Sequence, residues 1–203
     1  MVTPVSSRLY LMTPKEGDDA GLLECLKAAA SAGDIAALLV RAHSEDALAR
    51  RAALMTQTAQ DHDIAVLIDN NVNITIDTGA DGVHLSQEAV AQTGAIESAR
   101  KSLPSGSSVG VVAPNSRHEA MELAEQEPDY IGFEVPEMAM WWAPLFEVPC
   151  VAIPPASLET AVNLSQAGVE FICPTLEIWA NKVEASRLAQ QFADALADES
   201  SVA

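Results

Sequence analysis

Six consecutive apolar residues, Ile35-Ala-Ala-Leu-Leu-Val40, stand between Gly33-Asp34 and Arg41, and comparable runs recur along the whole chain. A segment so short is too brief for a helix, and it has no polar face to offer water. It therefore reads as a strand buried on both sides. The other strand candidates are Arg8 to Thr13 (stopped by Pro14), Ile64 to Ile68, Val83 to Leu85, Val109 to Val112, Tyr130 to Phe133, Cys150 to Ile153 and Glu170 to Cys173. Stretches of helical spacing lie between them. Leu22, Leu23, Leu26, Ala29 and Ala30 mark a helix over Ala20 to Ala32 that ends at Gly33. Ser44 opens the next, to Gln60: its hydroxyl caps free N–H groups, and Glu45 and Asp46 face the positive end of the helix dipole. Further helices are expected over Val72 to Thr78 with Gly79 as the C-cap, over Glu88 to Ser102, from Asn115-Ser116 to Glu125, from Ser157 to Gly168, and from Thr175 through the 190s. The piece around Trp141-Trp142 reads as less regular, and Asp198 to Ala203 as a frayed acidic tail.

Strands buried on both faces and separated by helices belong to a parallel sheet covered by those helices. Eight such units close most naturally into a (β/α)8 TIM barrel of the α/β class, here a compact single domain over residues 1–203. A doubly wound open sheet is the alternative. In either arrangement the chemistry belongs at the carboxyl ends of the strands.

Charge narrows the partners. Against 29 acidic residues stand 11 Lys and Arg, a formal net charge of −18. A field of that sign repels nucleic acid and anionic membrane surfaces. Cys25, Cys150 and Cys173 are an odd, widely spaced set inside apolar runs, which suits reduced thiols in a reducing compartment. Met1 to Arg8 lacks the charged-then-apolar pattern of a secretory signal, and no apolar run approaches the ~20 residues that span a bilayer. A cytoplasmic location is expected.

The cations expected at strand ends are Lys15, Arg41, His43, His84 and Arg117, with Asp69, Asn70 and Gln87 as polar company. They read either as a small anion-binding pocket or as ordinary rim residues. Arg41 is the strongest member, because a guanidinium meets a carboxylate or phosphate with two parallel hydrogen bonds. His84 reads either as lining the pocket or as a satisfied, partly buried histidine. Trp141, Trp142 and Trp179 read equally as an aromatic-ring pocket and as cover for the barrel top or a subunit contact, so a homodimer stays among the expected states. Ser86 and Cys173 have no paired base in the sequence, which leaves nucleophilic catalysis without support.

Four segments, Leu9-Tyr-Leu-Met-Thr13, Gly79-Ala-Asp-Gly-Val-His-Leu-Ser-Gln87, Asp129-Tyr-Ile-Gly-Phe133 and Pro149-Cys-Val-Ala-Ile153, resemble thiamine phosphate synthase and its thiazole tautomerase relatives, in that family's order. The resemblance implies a barrel that joins a pyrimidine diphosphate to a thiazole phosphate, releasing pyrophosphate with Mg²⁺ assistance. It also implies groups that this chain lacks. Where the family has Gln-x-Arg-x-Lys after strand two, the chain has Leu39, Arg41 and His43. Its Asn-Asp-Arg after strand three is Asp69-Asn70-Asn71, which leaves Asp69 as the only metal candidate. The second metal aspartate falls on Ala89, the serine and histidine after strand five fall on Val112 and Pro114, and a lysine loop after strand six is replaced by Glu134, Glu137 and the tryptophan pair. Barrels commonly cradle phosphate with backbone N–H groups after strands seven and eight. Here those positions hold Pro154-Pro155 and Pro174, which have no N–H, with Glu177 close by. The expectation is a degenerate or repurposed barrel that binds a thiamine precursor or a partner, with an active transferase as the alternative.

Overall fold

The computed structural model describes residues 7–200. Eight strands run in the order β1 (Arg8–Met12), β2 (Ile35–Val40), β3 (Ala65–Asp69), β4 (Gly82–Leu85), β5 (Ser108–Val112), β6 (Tyr130–Phe133), β7 (Cys150–Ala156) and β8 (Phe171–Pro174). Each pairs in parallel with the next, and β8 pairs with β1, so the sheet is a closed barrel. The open-sheet alternative is thereby excluded. Around it lie α1 (Asp19–Ala30), α2 (Glu45–Gln60), α3 (Val72–Thr78), α4 (Gln87–Val90), α5 (Ala95–Ser102), α6 (Arg117–Ala124), α7 (Pro136–Trp142), α8 (Leu158–Gln166), a short 3₁₀ turn (Leu176–Trp179) and α9 (Lys182–Ser200). Caps were legible in the sequence: Ser44 Oγ accepts from Ala47 N, and Gly79 ends α3 in the left-handed conformation.

The period-2 alternation of each strand divides the apolar residues into two sets. One, including Leu9, Leu11, Leu38, Val40, Val66, Ile68, Val83, Val109 and Ile131, packs outward against the helices. The other, Tyr10, Met12, Ala37, Leu39, Leu67, Tyr130, Val151 and Cys173, fills the barrel interior. The interior depends on one missing side chain. A Cβ on Gly110 would lie 2.0 Å from Tyr130 Cζ, so glycine there lets the tyrosine ring cross the barrel.

Four expectations change. The single helix over Glu88 to Ser102 is two, α4 and α5, because Gly94 adopts φ 77° between them. The stretch with Trp141-Trp142 is regular: Pro136 sits at the start of α7, where its missing N–H costs nothing, and Met138, Ala139 and Trp142 form a buried stripe. Strand β7 does not stop at Ile153 but continues through Pro154-Pro155 to Ala156, with a register shift against β8 after Ala152. The last helix begins at Lys182 rather than Thr175, and its backbone is helical through Ser200, into the acidic tail. Residues 201–203 of that tail, and residues 1–6 on which the signal-peptide reading rests, lie outside the described residues. No helix among the described residues is long and apolar enough to cross a membrane.

Candidate functional site at the carboxyl end of the barrel

Thr13, one residue past β1, is buried and locks onto the end of β2. Its Oγ1 accepts from Arg41 N at 2.8 Å and donates to Arg41 O at 2.9 Å. Arg41 Nε donates in turn to Thr13 O at 3.0 Å. The guanidinium is thus anchored through one nitrogen, and its two terminal nitrogens have no hydrogen-bond partner among the described residues. Asp69 ends β3 half-buried nearby. Burial pushes its carboxyl above the usual range, and the charges of Lys15 and Arg41 oppose that push. Asn70, held at φ 54°, donates from Nδ2 to Asp69 Oδ1 at 3.0 Å and accepts from Ser86 N at 2.7 Å. Lys15, Arg41, Asp69 and Asn70 therefore form one polar group over strands β1 to β3.

His84, the register partner of Asp69 on β4, is 3% exposed. Its Nδ1 is 2.6 Å from Tyr130 Oη, which is 2.9 Å from Tyr10 Oη. Burial, with help from the Arg41 charge, pushes its pKa down to about 3, so the imidazole is neutral near pH 7. Burial also raises both tyrosine hydroxyls, which stay protonated. The chain of three groups closes the barrel beneath the mouth. On its far side, a cavity of about 270 Å³ opens at the amino end of the barrel, walled by Tyr10, Ala37, Leu67, Tyr130 and Phe171.

The other sequence candidates stand apart. His43 is exposed and 3.6 Å from Glu16. Gln87 is exposed at the start of α4 and faces an outer groove with Pro114 and Asn115. Arg117 stacks its guanidinium 4.8 Å over Trp141, an attraction that offsets its place at the positive end of α6. Trp142 is fully buried, stacked on Phe146 at 3.9 Å and donating to Val148 O at 2.8 Å, so it belongs to the packing of α7. Trp179 lines a groove with Pro14, Gly17 and Leu22. Sequence reasoning overlooked Thr13, Tyr10 and Tyr130. It also overlooked Arg51, whose signal was a charged residue on the apolar stripe Leu48, Ala52, Met55 and Ala59 of α2.

Mg²⁺ binds through near-octahedral oxygens, with one or two carboxylates from the protein. Here Ala89 supplies none, and Asp69 already answers Asn70, Lys15 and Arg41. Among the described residues no three His, Cys, Asp or Glu side chains converge on a common point. Asp69 is the one carboxylate of this polar group that could hold the ion. The mouth of the barrel is further narrowed in chemistry by Leu39, Val112 and Cys173, all buried and apolar or weakly polar.

A closed parallel barrel with polar groups gathered at its carboxyl mouth defines the class of (β/α)8 barrels. Comparison with known proteins narrows this: the thiamine monophosphate synthase family model matches residues 9–134, and the chain belongs to that family. A thiamine-phosphate synthase of Rhodospirillum centenum is 32% identical over 188 residues, covering 85% of this chain and 89% of that one. One of Hyphomonas neptunium is 31% identical over 194 residues, covering 85% and 86%. Thiamine phosphate pyrophosphorylase of Pyrococcus furiosus superposes with a TM-score of 0.79 at 19% identity, over 96% of this chain and 98% of that one, a likeness of fold.

Proposed function

We propose that this barrel is a repurposed member of its family, which binds a thiamine precursor or a related small molecule at its carboxyl mouth and retains little of the synthase reaction. The anionic group of the ligand faces Arg41 and Lys15. The observation that carries the reading is β7. Where a phosphate cradle needs free N–H groups in a turn, this chain runs an extended strand through Pro154 and Pro155 to Ala156. Ala89 and His43 stand where the resemblance to the family implies a carboxylate and a lysine. The three buried free thiols suit a reducing compartment, and we take the cytoplasm as its place of action.

A second reading, an active transferase that joins a pyrimidine diphosphate to a thiazole phosphate, is favoured by the names of the relatives and by the grouping of Lys15, Arg41 and Asp69. A direct assay of thiamine phosphate formation, beside a thermal-shift panel of pyrimidine and thiazole phosphates with and without Mg²⁺, separates the two. The repurposed reading expects stabilisation by a ligand without turnover and without Mg²⁺ dependence. Ordinary synthase turnover from the unmodified protein would overturn it.

A further inference from the structure

Arg51 lies on the inner face of α2, among Ala47, Leu48, Ala52 and Met55, and is 1% exposed. A guanidinium stays charged at any working pH, so burying it demands partners for its five N–H groups. Four contacts meet them from two segments, the stretch Pro14 to Asp19 and the end of β2. Nε donates to Asp19 Oδ1 at 2.7 Å, at the start of α1. Nη1 donates to the carbonyls of Pro14 and Arg41, and Nη2 lies 3.5 Å from the carbonyl of Gly17. Pro14 and Gly17 bracket Lys15, and the remaining carbonyl belongs to Arg41 itself. One planar fork thus holds the backbone on both sides of Lys15 and at the carbonyl of Arg41.

An apolar side chain would pack α2 against the sheet without the desolvation penalty of a buried charge. What the arginine adds is the simultaneous capture of three carbonyls and a carboxylate in a rigid geometry, which lysine cannot reproduce. We infer that Arg51 is a positioning residue, which touches no ligand itself but sets Lys15 and Arg41 together as the cationic side of the mouth. The inference rests on the reading of that mouth as the place where an anionic group binds.

The test uses the full chain and inorganic pyrophosphate as the probe, with calorimetry well below each variant's unfolding temperature. Arg51→Met should weaken binding about tenfold or more, a loss of roughly 1.4 kcal/mol. Amide exchange over Lys15 to Asp18 should accelerate by a similar factor, because the carbonyl anchors of that loop are gone. Arg51→Lys should recover stability more than binding. Asp19→Asn, a milder change suited to the case in which Arg51→Met fails to fold, should move both readouts in the same direction. Met55→Ala, fully buried on the same helix, should lower stability and leave pyrophosphate binding and the loop amides unchanged. Binding lost in Arg41→Met but kept in Arg51→Met sinks this inference alone. No binding by the unmodified protein, or full binding by Arg41→Met, overturns the reading of the mouth and this inference with it.

Discussion

Burial keeps the His84 imidazole neutral, and the consequence appears below neutral pH. Its pKa falls from the ordinary 6.5 to about 3 on folding. A group depressed in this way contributes stability that is fully present above its unfolded pKa. That stability is lost as pH falls from about 6.5 towards 3, where only the unfolded chain takes up the proton. At pH 4.5 the loss is roughly 2–3 kcal/mol relative to pH 7. Urea unfolding at both pH values should show it for the unmodified protein and not for His84→Gln. Asp69 has the opposite sign, since burial raises its carboxyl, but both proteins carry it and it cancels. Gly110→Ala should be destabilising by about 3 kcal/mol or more, because the new Cβ meets the Tyr130 ring, and denaturant midpoints check it. The sequence showed His84 at a strand end, but not its depth. Depth comes from Tyr130 reaching across from a strand 46 residues away, a contact no local pattern encodes.

At the scale of the element, what a single sequence shows is set by how far apart the determining atoms are. Strand β2 and the Ser44 cap were legible because their causes are local: an uninterrupted apolar run and a hydroxyl three residues from the N–H it accepts from. The division between α4 and α5 was not, because apolar spacing continues through it and only the backbone angle at Gly94 breaks it. Gly94→Ala should cost about 1 kcal/mol: a Cβ there has no neighbour within 4 Å, so only the left-handed conformation is penalised. Two tryptophans in succession hid the regularity of α7, since only Trp142 faces inward. Trp142→Ala should lower stability by about 3–5 kcal/mol, measured by chemical denaturation, with the rest of the barrel intact.

For the whole molecule, the closed eightfold barrel was legible from rhythm alone, whereas the composition of the mouth is a property of assembly. Candidates at strand ends were evenly eligible in the sequence; the fold groups Lys15, Arg41, Asp69 and Asn70, sets Gln87 on an outer groove and Arg117 over Trp141, and places His43 beside Glu16. Pyrophosphate release builds negative charge that placed donors must meet, and each lost donor costs about 10²–10³ in rate. If the barrel is repurposed as proposed, combining His43→Lys, Ala89→Asp, Pro154→Gly and Pro155→Gly should raise thiamine phosphate formation in a direct assay.

The seam between β8 and β1 has the fewest residue pairs in this ring, and the prolines of β7 interrupt the seam on the other side of β8. Strand β8 is held to β1 by two residue pairs, Arg8–Phe171 and Leu9–Ile172, and to β7 by Val151–Phe171 and Ala152–Ile172. Beyond the register shift the only further rung among the described residues is Ala156–Pro174. Pro154, Pro155 and Pro174 have no N–H to contribute to any rung between. A hoop with one weak join parts there first under load. Pulled, heated or nicked, the barrel should gape along β8 before any other seam opens, so that the Cys173 thiol, sealed inside the intact ring, becomes the earliest interior group that a thiol reagent can reach.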